Sequence, residues 1–256
     1  MTNIALTIAG SDPSGGAGLQ ADLRTFAALG VYGCAVVTAL TAQNTQGVRS
    51  SLLVAPRFVR EQLDHLLADV RPAAAKTGML ASAAIVREVA QAAAAHRLAN
   101  LVVDPVMRAK DGSALLDDEG VRVLKDRLLP LAALVTPNAP EASALSGLRT
   151  QTVEDAKRVA ESLIELGCRA VLIKGGHLRR ERGGVVDVFY DGAFREFRRL
   201  ARRAEVHGTG CVLSAAIAAS LAKGEPLVDA VAEGEAFLSS GLAAATKIGR
   251  GRRCIP

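Results

Sequence analysis

Short apolar runs rich in β-branched residues alternate along this chain with longer stretches whose apolar positions recur at helical spacing. The runs at residues 4–9, 35–40, 74–77, 101–103, 134–136 and 171–174 predict strands, and the stretches at 17–28, 56–69, 83–96, 118–129 and 153–166 predict helices. Repeated strand–helix alternation implies an α/β protein, with a mostly parallel sheet covered by helices on both faces. The near-continuous apolarity of the strands fits burial on both sides. After Lys174 the rhythm changes: residues 185–190, Asp191-Gly192 and 194–197 read as a hairpin around an Asp-Gly turn. Two more helices are expected near 210–223 and 226–246. The first is apolar almost all round, as a helix buried in a core is. No internal repeat or low-complexity linker interrupts the pattern, so residues 1–256 read as one domain.

Half of the 256 residues are apolar and 22% are charged, enough for a substantial core. The first residues show no basic stretch followed by an apolar run, and no window approaches the roughly 20 apolar residues of a membrane span. A soluble, cytoplasmic protein with no membrane partner is therefore expected. Cys34, Cys168, Cys211 and Cys254 are scattered without Cys-x-x-Cys spacing, which points away from a zinc site or a disulfide framework. The net charge of +5 comes mainly from Arg179-Arg180-Glu181-Arg182, Arg198-Arg199, Arg202-Arg203 and the arginines at 250–253. With 3% aromatic residues and no nucleic-acid-binding signature, nucleic acid is not an expected partner. The basic balance reads as solvated surface or as an aid to collecting phosphates.

Candidate chemistry falls just after the predicted strands: Gly10-Ser11-Asp12, Gln43-Asn44, Asp104-Pro105, Asn138 and Gly175-Gly176. In open parallel sheets ligands bind at the carboxyl ends of strands, so these segments should converge on one crevice. His207-Gly208-Thr209-Gly210-Cys211 opens the apolar helix. Its glycines let backbone curl around an anion, and first-turn N–H groups would point at it. The same pentapeptide also reads as a plain glycine-rich loop before a core helix, with Cys211 an inert small hydrophobe. A Walker A lysine motif is absent, so a nucleotide site would not be of the P-loop kind.

These segments, in this order, resemble the hydroxymethylpyrimidine/phosphomethylpyrimidine kinases of thiamine biosynthesis, a family of the ribokinase-like class. The matching stretches are residues 9–18 with Gln20-Ala21-Asp22, residues 38–45, Lys76-Thr77-Gly78-Met79-Leu80, Asp104-Pro105-Val106-Met107, Thr136-Pro137-Asn138, Lys174-Gly175-Gly176-His177 and residues 207–211. The resemblance covers nearly the whole chain and implies a ribokinase-like three-layer fold, ATP and Mg2+ as cosubstrate and cofactor, and a homodimer. It implies that Gln43 binds an aminopyrimidine alcohol and its phosphate, and that Gly10, Ala17, Thr41, Met79 and Val106 wall the pocket with Asp22 nearby. Asp104 and Glu141 correspond to the acidic pair for magnesium, with Asn138 and Lys174 near the phosphates. Cys211 takes the place of the catalytic base, in the anion loop of Gly208, Thr209 and Gly210; its thiol is expected to be lowered at the helix N-terminus. His177 and His207 read as loop-ordering.

Each residue also has a plainer reading: Gln43 as a strand-end amide, Met79 as core packing, Glu141 as a first-turn acid complementing its helix dipole. The chain departs from the family at Glu205-Val206, where Asn-Thr is usual, and at Glu235, where a lysine is common. It departs also at Arg108 and Asp111, and in the tail Arg252-Arg253-Cys254-Ile255-Pro256. A pyridoxal-type kinase of the same fold and a non-catalytic ligand-binding or regulatory relative are the competing readings.

Overall fold

The computed structural model describes residues 2–108, 112–179, 184–200 and 205–256. Its strands are β1 (Ile4–Gly10), β2 (Tyr32–Gln43), β3 (Val48–Leu53), β4 (Ala74–Thr77), β5 (Leu101–Val103), β6 (Leu134–Val135), β7 (Val171–Ile173), β8 (Val185–Tyr190), β9 (Phe194–Arg199), β10 (Val206–His207) and β11 (Arg253–Cys254). The α-helices are α1 (Gly18–Ala28), α2 (Pro56–Asp69), α3 (Ala83–Ala95), α4 (Asp118–Val123), α5 (Ala139–Ser146), α6 (Val153–Ile164), α7 (Thr209–Ala222) and α8 (Leu227–Ala244). None of these is long and apolar enough to cross a membrane.

Among the described residues nine strands form one sheet, in the order β3-β2-β1-β4-β5-β6-β7-β8-β9. The pairs from β2 across to β7 are parallel, while β3 at one edge and β8 and β9 at the other run antiparallel to their neighbours. Side chains alternate between two cores. Leu6, Ile8, Ala75, Leu101, Val103, Val135, Val171 and Ile173 pack with α2, α3, α5 and α6. The residues between them, Ala5, Ala74, Val102, Leu134 and Leu172, pack with α1, α7 and α8. This is the expected three-layer arrangement. From Val212 to Ala222 every residue of α7 is buried, as its all-round apolarity requires.

The chain leaves β1 toward β2 on one side and returns as β4 on the other. The carboxyl end of β1 is therefore a topological switch point, where the diverging connections leave a crevice.

Four local expectations change. Strand β2 runs from Tyr32 to Gln43, beyond 35–40 at both ends. Strand β3 falls in a segment with no polar–apolar alternation, because it is an edge strand exposed along most of its length. Helix α5 was not among the predicted helices. The helix predicted over 118–129 is α-helical only to Val123; it widens into a π turn over Leu124–Leu128 and ends in a 3-10 turn over Leu129–Leu131. The wide turn lets Leu124, Leu128 and Leu129 all face the core, and Pro130, which has no N–H to donate, closes the segment.

Candidate active site

The loop between β1 and α1 is built around one carboxylate. Asp12 Oδ1 accepts from Ser14 N (2.9 Å) and Ser14 Oγ (2.8 Å), and Oδ2 accepts from Ala17 N (2.9 Å). His207 Nε2 stands 2.9 Å from the same Oδ2. Burial pushes the Asp12 carboxyl up, but the hydrogen bonds from His207 and Ser14 outweigh it and hold the group below its ordinary value. An ionised Asp12 therefore ties the first loop of the chain to the segment just before α7. Beside it, Thr41 Oγ1 donates to Ser11 O (2.8 Å), and Met79 Sδ lies 3.3 Å from where a Cβ on Gly10 would stand. Gly10, Ala17, Thr41, Gln43 and Met79 thus gather at the switch point.

The anion loop meets them there. Gly208 has φ +75°, and a Cβ on it would lie 1.8 Å from Gly16 O, so no other residue fits. This contact sets the N-termini of α1 and α7 side by side. Neither helix has a side-chain cap or an acid in its first turn, whereas α3, α4, α5 and α6 are all capped by their own side chains. The uncapped first-turn N–H groups of α7, set beside the start of α1, make a ready anion site. Cys211 lies in the first turn of α7, partly exposed. Burial of its surroundings pushes the thiol above its ordinary value, with Lys76 and the Gly18 N–H pulling it back. The lowered thiol expected from helix position is thus corrected: desolvation wins over the nearby positive charge.

Lys76 and Asp22 lie beneath this loop, both fully buried. Lys76 Nζ is 2.7 Å from Asp22 Oδ2, which also accepts from Thr7 Oγ1 at 2.7 Å. Burial works against the Lys76 ammonium, but the touching Asp22 carboxylate more than restores it, so the lysine stays charged. Asp22, expected near the pocket, lies beneath it as the partner of Lys76. With 0% exposure it faces Lys76 and leaves the pocket wall to others. Lys76 opens one of the matching stretches, and its buried charge beneath the anion loop gives it a role that the motif does not announce. Its signal was a lysine inside a short strand whose every residue is buried.

On the other side of the loop, Lys174 Nζ lies 2.6 Å from Asp104 Oδ1 and 3.9 Å from Glu141 Oε2. Glu141 forms a capping box with Asn138: its carboxylate accepts from Asn138 N (2.8 Å) while Asn138 Oδ1 accepts from Glu141 N (2.9 Å). The plainer reading of Glu141 as a first-turn acid therefore holds alongside its place beside Lys174. Burial raises its carboxyl to about 7 against the pull of Lys174. Asp104 Oδ1 is also 3.3 Å from Thr136 Oγ1, while Oδ2 lies 3.5 Å from where a Cβ on Gly210 would be, toward the anion loop. Val106 follows Asp104 and is partly exposed.

The departures from the family pattern are accommodated. Glu205 pairs with Arg252 of the altered tail (2.8 Å). Glu235 pairs with Arg199 (3.0 Å), which also grips the buried Asp187, and Asp187 Oδ1 accepts from Gly175 N (2.6 Å). Arg108 is exposed and donates to Gly112 O (3.1 Å), and Asp111 lies outside the described residues. The tail closes over the site. Strand β11 pairs in parallel with β10, Arg252 N donates to Thr45 O (2.9 Å), and Arg24 Nη2 donates to both Gly15 O (2.6 Å) and Ile255 O (3.1 Å).

The model of the family described as phosphomethylpyrimidine kinase matches residues 12–255. The chain belongs to this family. It is 48% identical over 242 residues to the hydroxymethylpyrimidine/phosphomethylpyrimidine kinase of Escherichia coli, covering 94% of this chain and 91% of that one. It is also 48% identical over 250 residues to the thiamine biosynthesis bifunctional protein ThiED of Geobacter sulfurreducens, 96% of this chain but about half the length of that relative. Among solved structures, phosphomethylpyrimidine kinase from Clostridium difficile superimposes with a TM-score of 0.83 at 40% identity, over 93% of this chain and 99% of the other. The Staphylococcus aureus pyridoxal kinase in complex with AMP-PCP and pyridoxal gives 0.91 at 33% identity, over 100% and 93%. The fold is accordingly the ribokinase-like α/β fold of these phosphomethylpyrimidine and pyridoxal kinases.

Proposed function

We propose that this member of the family is an ATP-dependent kinase, one domain over residues 1–256. It phosphorylates 4-amino-5-hydroxymethyl-2-methylpyrimidine and then the monophosphate, giving the diphosphate used in thiamine biosynthesis. The observation that carries the reading is the meeting of two residue groups at the uncapped start of α7. On one side stand Gly10, Ala17, Thr41, Gln43, Met79 and Val106, a partly apolar wall with one amide for an aminopyrimidine. On the other stand Lys174, Asp104, Asn138 and Glu141, a charged set for a nucleotide triphosphate. The γ-phosphoryl group passes between them, over the N–H groups of Gly208, Thr209, Gly210 and Cys211.

The residue chemistry fits magnesium in the sparse form that ion prefers, with one or two carboxylates beside phosphate oxygens. Asp104 offers Oδ2 on the loop side, with Glu141 next to it. When bound, the ion would neutralise charge on the triphosphate. Lys174 holds Asp104 in place, and Lys76 keeps a positive charge next to Cys211. For this step Cys211 must enter as the thiolate, the form that Lys76 and the Gly18 N–H stabilise; it takes the proton of the substrate hydroxyl as that oxygen attacks phosphorus and ends the step as the thiol. The reading places the protein in the cytoplasm, as a homodimer.

A pyridoxal-type activity is favoured by one observation, the higher TM-score to the S. aureus pyridoxal kinase. The higher identities, 40–48%, are with the pyrimidine kinases. A non-catalytic relative loses its main support, since Glu205 and Glu235 both have arginine partners. Mixing the protein with Mg-ATP and the pyrimidine alcohol, and following ADP and both phosphorylated products, tests the reading. Mono- and diphosphate are expected. No product from the pyrimidine, with turnover of pyridoxal, would overturn it.

A further inference from the structure

Gln43 sits in a network whose hydrogens can be assigned from chemistry. Its Nε2 is 2.9 Å from His207 Nε2, and its Oε1 is 3.2 Å from Thr41 Oγ1. In that orientation two conflicts arise. His207 Nε2 must carry a proton to serve the ionised Asp12 Oδ2 at 2.9 Å, so two donors would face each other. Thr41 has one hydroxyl proton, and Ser11 O, an acceptor only, claims it at 2.8 Å. A half-turn of the terminal amide, which exchanges two atoms of nearly equal size, removes both conflicts. The amide oxygen then shares the single His207 Nε2–H with Asp12 Oδ2 in a three-centre bond, and the amide nitrogen donates to Thr41.

We propose that His207 is a positioning residue which, with Asp12 and Thr41, fixes the polarity of the Gln43 amide and thereby selects the substrate. The fixed amide keeps one lone pair on the His207 side and one N–H on the Thr41 side for a ligand. An aromatic edge with an amino group beside a ring nitrogen matches that donor–acceptor order. A pyridine edge without the adjacent amino group leaves the amide oxygen unpaired. The proposal rests on the pyrimidine kinase reading. It adds that discrimination is set from behind Gln43, by a histidine that touches neither substrate nor phosphate.

Two measurements on the full-length protein test it. First, the side-chain NH2 of Gln43 should give its stronger nuclear Overhauser contact to Thr41; a stronger contact to the His207 ring overturns the assignment. Second, His207→Leu, Gln43→Glu and the double variant are compared, each checked by thermal melting, with the pyrimidine alcohol and with pyridoxal. His207→Leu should raise KM for the pyrimidine roughly 10-fold, the worth of about one hydrogen bond, with kcat and the KM for ATP nearly unchanged. The double variant should be no worse than Gln43→Glu, since His207 acts through Gln43. Multiplying losses, or a fall in kcat alone, would show a merely structural histidine and overturn the positioning role while leaving the kinase reading intact. Failure of the unaltered protein to turn over the pyrimidine would instead overturn both.

Discussion

Replacing Lys76 with methionine isolates the energetics of the charge pair beneath the anion loop. Lys76 and Asp22 are 2.7 Å apart with no exposed surface on either side chain, and Asp22 Oδ1 has no hydrogen-bond partner. Without Lys76, the Asp22 carboxylate keeps only the Thr7 hydroxyl at 2.7 Å. Breaking a buried pair from one side costs about 3–5 kcal/mol, because the stranded charge stays desolvated. Against a typical total stability of roughly 5–15 kcal/mol, this is a large fraction. Adding Asp22→Asn removes the stranded charge, so the double variant should recover at least about 2 kcal/mol. The sign of the pH effect follows. In Lys76→Met, Asp22 is raised above its unfolded value of about 3.9, so its contribution is fully present below that pH and is lost as pH rises. The deficit of Lys76→Met should therefore be larger at pH 8 than at pH 5. Urea titrations followed by circular dichroism measure all three quantities. A deficit below about 1 kcal/mol at both pH values, with no recovery in the double variant, would refute a buried ion pair here.

Three further outcomes are expected. Cys211→Ala should slow phosphorylation of the alcohol far more than that of the monophosphate, whose acceptor is already an anion; product ratios over time measure this, and equal losses would contradict it. Gly208→Ala should lower kcat by about two orders of magnitude by displacing the loop N–H groups, with the melting profile checked alongside. The Glu235 carboxyl is raised to about 9 by burial and by Asp187, against Arg199. Its contribution to stability is present below pH 4.5 and is lost as pH rises toward 9. The stability of Glu235→Gln relative to the parent should then climb by up to about 1.4 kcal/mol per pH unit between pH 5 and 8, in urea titrations at several pH values.

The sheet was legible because its parallel strands are buried on both faces and so stand out as apolar runs between helices. What escaped was structure held by something other than burial. Strand β3 is an exposed edge, α5 is only eight residues long, and the β10–β11 pair joins segments 47 residues apart whose contact no local pattern announces. The site was readable as strand-end motifs, yet the roles within it divided by depth. Gln43, Thr41 and Met79 stay partly exposed at the crevice, whereas Asp22 sinks beneath it, a difference invisible in a motif. The direction of the Cys211 shift was unreadable for the same reason. Helix position argues one way and desolvation the other, and only three-dimensional surroundings weigh them.

The clasp formed by residues 251–255 has a consequence for how the protein is made. The loop at 10–18 is pinned through Gly15, His207 and Arg24 to Ile255 and Cys254, which leave the ribosome more than two hundred residues after it. The sheet has what it needs to assemble while translation continues; the crevice does not. A chain interrupted before these few residues would fold its layers and leave the 10–18 loop without its clasp.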